Sequence, residues 1–173
     1  MQDIGVVLQE ITDVAGTYHR LLLLVGRVPA ETSQCIEAVA AHLDRPVLNL
    51  NAELSSALLE VPHRQRQLKA HKVVGDIIDG GPADIVLFDH TDILFSPSLR
   101  LDALALLKSL SRNKTVVATW SGTAKDGKLR HAEEWHPEYQ SHAIEDIKVI
   151  TVDQGERWAG RPMLGERLRH EVR

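Results

Sequence analysis

Two short segments of this chain carry residue types that bind nucleotide phosphates and magnesium. In the first, LLLLVGRVPAETS, a strand-like apolar run ends in Gly26, and a helix-like pattern begins at about Ser33. This layout has the length of the loop motif G-x-x-x-x-G-K-[ST], whose backbone N–H groups and lysine hold the phosphates while its hydroxyl reaches Mg²⁺. Aligned on Gly26, the second glycine is Glu31 and the lysine is Thr32. We therefore predict a degenerate phosphate site that binds ATP and Mg²⁺ weakly or not at all.

The second segment is the apolar run Ile85 to Phe88, which ends in Asp89. An acid at the end of a buried strand is where nucleotide hydrolases hold Mg²⁺, so the predicted metal ligands are Ser33 and Asp89. Strand-inserted hydrolases carry a water-activating glutamate at the next position, but this chain has His90, which predicts lost or very slow hydrolysis. A lesser alternative is that Asp92, one helical turn further on, partly takes over the role of that glutamate. The alternative is that Asp89 only caps the following turn.

Thr119 ends the next apolar run, TVVAT, where related folds place a polar side chain that contacts the γ-phosphate. The alternative is that Thr119 has no phosphate contact and is present only because threonine favours strands. Arg112 precedes that run and either reaches a phosphate in a neighbouring subunit or only complements a helix C-terminus. The predicted nucleotide-binding set is Gly26, Thr32, Ser33, Asp89 and Thr119.

The composition of the chain excludes several classes of protein. Its 173 residues carry a net charge of −4, with 43% hydrophobic and 4% aromatic residues. The charge gives no overall attraction to nucleic acid, and no apolar run approaches the length of a membrane span. We expect a soluble cytoplasmic protein that makes no membrane contact.

Hydrophobic periodicity predicts helices that alternate with five strands. A parallel sheet covered by helices on both faces, the α/β class, is the arrangement that such alternation favours. We predict one domain over residues 1–152, with an N-terminal helix over 1–16, and a basic tail over 153–173. The predicted strands cover 21–25, 47–50, 84–88, 115–119 and 147–152; the later helices cover 33–43, 52–60, 64–79 and 99–110.

A long polar stretch from Trp120 to Ile144 is predicted to be a functional or interface loop. Trp135 and Tyr139 lie among charged neighbours and are the predicted interface residues, together with Arg112. Trp120 either joins them or plugs the end of the core. The histidines of this stretch could bind zinc, but their spacing fits no standard ligand pattern and favours solvated side chains; they are His131, His136 and His142.

Several segments resemble the BrxF family, the small P-loop proteins of type 3 BREX phage-defence systems. The resemblance rests on IVLFDHTDILF (85–95), LALLKSLSRNKTVVATW (104–120) with Gly122 after it, and the pieces GKL (127–129) and HPEY (136–139). It spans roughly residues 21–152. The LSRNKTVVATWSG and HPEY pieces are its more specific parts.

The resemblance implies a P-loop NTPase-like domain within a multi-protein system that distinguishes self from phage DNA. It also implies that Gly26, Ser33 and Asp89 occupy the phosphate and Mg²⁺ positions. Our leading hypothesis is a degenerate P-loop subunit of the additional-strand class, with strand order 5-1-4-3-2. It acts through other BREX proteins, with homo-oligomer formation as an option and weak or no nucleotide binding.

Two alternatives remain open. One is an active ATPase of the same system whose lysine comes from elsewhere near the carboxyl ends of the strands; the candidates are Lys114, Lys125 and Lys128. The other is an adaptor that contacts DNA through the basic tail, where Gln154 to Arg173 contains five arginines against three glutamates.

Overall fold

A five-stranded parallel sheet is the centre of the computed structural model, which describes residues 2–152, with side chains from Ile4 onward. The strands in chain order are β1 (Leu21–Gly26), β2 (Val47–Asn49), β3 (Ile85–Asp89), β4 (Thr115–Ser121), β5 (Thr123–Lys125), β6 (Lys128–His131), β7 (Gln140–Ala143) and β8 (Lys148–Thr151). The parallel sheet has the order β2-β3-β4-β1-β8, which confirms the predicted strand order and the α/β class. The predicted tail, 153–173, lies outside the described residues.

Helices cover both faces of this sheet. They are α1 (Gln2–Val14), α2 (Pro29–Leu43), α3 (Leu50–Leu58), α4 (Arg66–Asp79) and α5 (Ala103–Leu110), with 3₁₀ turns at His63–Gln65 and Thr91–Phe95. Leu22 and Leu24 pack toward α1 and α2, whereas Leu21, Leu23 and Val25 lie in the cluster formed with α3, α4 and α5. Every residue of β1 is therefore buried, which explains its unbroken apolar sequence.

Four helices begin at other residues than predicted; for α4 the start is Arg66 rather than Arg64. Asn49 and Asp102 act as N-caps, because their side chains accept hydrogen bonds from the backbone N–H groups of Ala52 and Ala105. Helix α3 therefore begins at Leu50, and α5 begins only at Ala103 rather than at Leu99. The remaining case, α2, bears on the site and is described below. No described helix combines the length and apolar character needed to cross a bilayer.

The stretch predicted as a loop contains an antiparallel sheet of three strands in the order β5-β6-β7. Asp126 and Gly127 turn the chain between β5 and β6 with φ angles of 55° and 71°. Positive φ at both turn positions is typical of the tight turns that match the twist of two-residue hairpins. We call residues 122–144 the insertion.

Trp120 fixes the insertion to the parallel sheet. It is 1% exposed, its indole Nε1–H donates to the Arg130 carbonyl at 3.1 Å, and its ring meets Phe95 edge-on at 4.8 Å between centroids. Trp120 is therefore a core residue that closes one end of the core, which is one of the two roles considered for it, and it is not exposed at an interface with Trp135 and Tyr139.

Arg112 and Lys114 lie at the amino edge of the sheet, just before β4. The Arg112 guanidinium lies 4.5 Å from the centroid of the Tyr18 ring, and Lys114 Nζ donates to the Gly81 carbonyl at 2.5 Å. The placement of Lys114 near the carboxyl ends of the strands was therefore wrong. Arg112 remains a predicted interface residue, but it lies at the edge opposite Asp89.

Candidate functional site at the carboxyl edge of the sheet

Helix α2 begins at Pro29, four residues before the predicted start at Ser33. Proline has the φ angle of a first helical residue, and the acid at Glu31 is favourable near the positive end of the helix dipole. Only Arg27 and Val28 therefore separate β1 from α2. Ser33 lies in the second turn of the helix instead of at its start. A two-residue connection is too short to form the phosphate-wrapping loop of the motif.

Gly26 is needed for close packing at this connection. A Cβ atom at Gly26 would lie 2.8 Å from Thr32 Cγ2 and 2.9 Å from the Val152 carbonyl oxygen. Thr32 is itself buried, and its hydroxyl donates to the Pro29 carbonyl at 3.0 Å. The side chain at the lysine position of the motif is thus part of the core and not of an open loop.

Glu31 stabilises the helix start but places a negative charge where a phosphate would lie. Its Oε2 atom is buried and has no hydrogen-bond partner among the described residues. A carboxylate in the first turn repels phosphate oxygens, and Thr32 stands where the motif has its lysine. The residues present at this connection therefore do not fit a magnesium nucleotide.

Asp89 and Thr119 lie together, as their positions at the ends of neighbouring strands suggest. Asp89 is 5% exposed, and its Oδ1 accepts the Thr119 hydroxyl at 2.9 Å and the His90 backbone N–H at 2.8 Å. The Thr91 hydroxyl in turn donates to the Thr119 carbonyl at 2.5 Å. The two threonine bonds tie the end of β3 to the end of β4. The bond from the His90 N–H caps the turn that follows β3, which is the alternative role considered for Asp89.

His90 takes the place of the hydrolytic glutamate and has a left-handed backbone, with φ 54° and ψ 54°. Its Nε2 atom lies 3.6 Å from Asp89 Oδ2, and about half of its side chain is exposed. The imidazole therefore lies beside the second oxygen of the buried carboxylate. The two neighbouring side chains of Asp89 and His90 thus form an ion pair whenever the imidazole is protonated.

A group of acids and histidines continues outward from Asp89. We call Asp89, His90, Asp92, His131 and Glu138 the edge cluster. Desolvation by the surrounding protein is the main cause that raises the pKa of Asp92; His131 and His90 act against it, and Glu138 and Asp89 add to it. Asp92 therefore lies within electrostatic reach of the other four members of the edge cluster.

His131 is a residue of the site whose burial the sequence interpretation predicted wrongly. It is 7% exposed rather than solvated, and its ring stacks on Phe95 with centroids 3.6 Å apart and planes 7° apart. Its Nδ1 atom lies 2.6 Å from the Ser121 carbonyl oxygen, and its Nε2 atom lies 3.5 Å from Glu138 Oε2. The sequence signal that could have found it is the apolar residue Leu129 two positions earlier, because alternate residues of a strand share a face and both are buried in β6.

The other histidines of the insertion point to different places. His142 contacts Gln140 through Nε2 at 2.9 Å and is partly buried, which lowers its pKa against the opposing effect of Asp102. The His136 Nδ1 atom accepts the Glu138 backbone N–H at 3.1 Å. Within the described residues, no group of three or more histidine, cysteine or acidic side chains is arranged to hold a metal ion.

The two predicted interface aromatics lie in the turn between β6 and β7, residues 132–139. Trp135 is 80% exposed and Tyr139 is partly buried. The turn belongs to the same end of the molecule as the edge cluster, because it also carries Glu138. A large apolar ring is therefore presented to solvent beside a group of charges.

Comparisons with protein-family models, with curated proteins and with solved structures give no match to this chain.

Proposed function

We propose that this chain is a non-enzymatic subunit of a BREX-type phage-defence system in the cytoplasm. In this proposal it keeps the plan of a P-loop NTPase-like domain, binds Mg-ATP weakly or not at all, and acts through protein partners. The observation that supports weak or absent nucleotide binding is the close packing at Gly26, where Thr32 and Val152 leave no space for a Cβ atom. The BREX assignment is supported by the resemblance of the segments around Asp89, Thr119 and Glu138.

The active-ATPase alternative requires a lysine that reaches the phosphates. Lys114 is bound to a carbonyl at the opposite edge of the sheet. Lys125 and Lys128 lie opposite each other beside the turn at the tip of the insertion. The structure gives this alternative no lysine in contact with Asp89 within the described residues.

The DNA-adaptor alternative depends on the tail, which lies outside the described residues. Its test is retention on a DNA column at increasing salt, compared between the full chain and a chain that lacks residues 154–173. Retention that falls steeply with salt and disappears on deletion would favour DNA contact over the partner-only role.

Titration of the purified protein with Mg-ATP in a calorimeter is expected to give a dissociation constant weaker than about 100 μM. Loss of one charged hydrogen bond costs about 1.5–3 kcal/mol, and the Glu31 carboxylate adds repulsion. Asp89→Ala is the control variant and is expected to leave this weak signal unchanged. Low-micromolar binding that Asp89→Ala abolishes, or turnover of about 1 s⁻¹ or faster, would contradict the proposal and favour the ATPase.

The exposed aromatics provide the test of the partner role. Trp135→Ala combined with Tyr139→Ala is expected to weaken self-association or partner binding by about 2 kcal/mol or more, since buried aromatic anchors dominate protein interfaces. Sedimentation equilibrium measures self-association, and plaque counts on cells that carry the complete defence system measure function.

Leu68→Ala is the matched control, because Leu68 on α4 is as exposed as Trp135, at 80%, but lies outside the insertion. Its association and its phage restriction are expected to match those of the unmodified protein. A Trp135/Tyr139 variant that assembles and restricts phage normally would show that these side chains form no interface.

A further inference from the structure

A cavity of about 210 Å³ lies between α3, the start of α4 and the segment that follows β3 and its 3₁₀ turn. We call it the α3–α4 cavity. Its apolar lining is formed by Leu58, Ile93 and Leu99, which belong to the core on this face of the sheet or pack against it. Leu59 also lines it and is 77% exposed at the opening. Pockets for drug-sized ligands have about 300–1,000 Å³, so this cavity has room for one side chain and not for a whole cofactor.

Arg66 supplies a positive charge to the same cavity. Its Nε–H donates to the Val61 carbonyl at 2.8 Å, which holds the partly buried guanidinium in place. Within the described residues, the N–H groups on its two terminal nitrogens have no acceptor. A guanidinium carries five N–H donors in a planar fork that matches a carboxylate. The free side of Arg66 therefore fits a carboxylate from another molecule.

Two serines bring hydroxyl groups to the lining, and both lie in an ordered turn. The turn is closed by the Leu99 backbone N–H, which donates to the Ser96 carbonyl at 3.0 Å. The hydroxyl oxygens of Ser96 and Ser98 lie 3.0 Å apart, so one donates to the other and one hydroxyl proton is left for a ligand. Gln67 Nε2 donates to the Arg100 carbonyl at 2.8 Å and joins this segment to α4. The cavity is therefore formed before any ligand binds.

The segment that carries Arg66 is basic, although the whole chain has a net charge of −4. Residues 61–75 contain no aspartate or glutamate and four basic side chains, namely Arg64, Arg66, Lys69 and Lys72. Lys72 pairs with Asp76 at 2.9 Å, and the other three form no ion pair within the described part of the chain. Glu60 precedes the segment. The local potential therefore attracts negatively charged side chains.

We propose that the α3–α4 cavity binds an acidic segment of a protein partner, with one aliphatic side chain on the leucine and isoleucine lining and an adjacent carboxylate on Arg66. The volume admits one side chain, and the charge selects the carboxylate beside it. A free phosphate has no apolar group for this lining, and none of the described lining residues is an aromatic on which a nucleobase could stack. This inference rests on the proposed function in one respect only, namely that the chain acts through protein partners.

The probe is the peptide acetyl-Glu-Leu-Glu-amide, and the protein is the full chain with ¹³C-labelled isoleucine δ1 methyl groups. The Ile93 resonance is assigned from the spectrum of Ile93→Val. We expect the peptide to shift this resonance with a dissociation constant of about 1–10 mM. The uncharged control acetyl-Gln-Leu-Gln-amide should bind at least about tenfold more weakly. The control acetyl-Glu-Gly-Glu-amide, which lacks the aliphatic side chain, should also bind at least about tenfold more weakly.

Arg66→Gln is expected to weaken binding of the acidic peptide at least about tenfold, because it removes the cation that meets the carboxylate. Its matched control, Arg64→Gln, removes the same charge from outside the lining and is expected to change binding less than about threefold. A second matched pair is Leu59→Ala and Leu68→Ala. Both leucines are exposed, at 77% and 80%, but of the two only Leu59 lines the cavity. Leu59→Ala should weaken binding at least about threefold, and Leu68→Ala should leave it unchanged.

Melting curves check that each variant is folded. Arg66→Gln also loses the bond to the Val61 carbonyl, whereas Leu59→Ala changes an exposed side chain and leaves the core intact. The leucine pair therefore tests the inference even if Arg66→Gln unfolds.

Three results would overturn the inference. They are equal shifts with the acidic and uncharged peptides, equal binding by Leu59→Ala and Leu68→Ala, and a shift of Ile93 by inorganic phosphate, a single-stranded oligonucleotide or phosphatidylglycerol vesicles in place of the peptide. None of these bears on the Mg-ATP titration or on the Trp135 and Tyr139 test. Failure of this inference is therefore distinguishable from failure of the proposed function.

Discussion

Replacement of Trp120 by alanine is expected to lower the free energy of unfolding by about 3–5 kcal/mol, the range for a buried aromatic truncated in a core. The side chain is 1% exposed and contacts Phe95 edge-on, so its removal leaves a large cavity between the sheet and the insertion. It also removes the hydrogen bond to the Arg130 carbonyl. Chemical denaturation followed by far-UV circular dichroism measures the change.

Trp135→Ala is the control for Trp120→Ala, since it removes the same side chain from an exposed position. Its unfolding free energy is expected to change by less than about 0.5 kcal/mol. Equal losses in the two variants would mean that Trp135 is also buried in solution. A small loss in Trp120→Ala would mean that the insertion does not depend on this anchor.

Gly122→Ala is expected to cost about 3 kcal/mol or more. Gly122 has φ 152°, which side chains rarely adopt, and a Cβ atom there would lie 1.8 Å from the Arg130 carbonyl oxygen. Backbone strain and overpacking each contribute roughly 1–3 kcal/mol. The strand β6 must move away, and its displacement would carry His131 away from Phe95.

Gly127→Ala separates the two contributions to this cost. Gly127 also has positive φ, at 71°, but nothing lies within 4 Å of its Cβ position. Only backbone strain is then expected, about 1 kcal/mol. The measurement is the same denaturation series. If Gly122→Ala costs no more than Gly127→Ala, the insertion can shift without loss and is not fixed to the parallel sheet.

The core of the fold was predictable because its signals are local and repeated. An apolar run such as Leu21 to Val25 has few alternatives to a strand buried on both faces, and strands that alternate with helices favour a parallel sheet. The proximity of Asp89 and Thr119 follows from the same plan, because the ends of neighbouring parallel strands meet at one edge. The strand order followed from the family resemblance.

The early start of α2 and the hairpin in the insertion were not predicted, although both have recognisable sequence signals. Pro29 is typical of a first helical residue and marks the early start of α2. The pair Asp126-Gly127 is a strong hairpin signal, but the flanking strands are short and carry few apolar residues. The alignment to the phosphate-loop motif predicted that Gly26 approaches a phosphate, whereas in the structure Gly26 packs against Thr32 and Val152.

The edge cluster depends on contacts between distant segments. The sequence determined that an acid, Asp89, ends a buried strand and that a polar stretch follows Trp120. Only the tertiary structure decided that His131 is buried, because the ring that covers it belongs to Phe95, in the turn after β3. Burial and charge balance depend on which side chains meet across the fold, and residue spacing along the chain carries no information about such meetings.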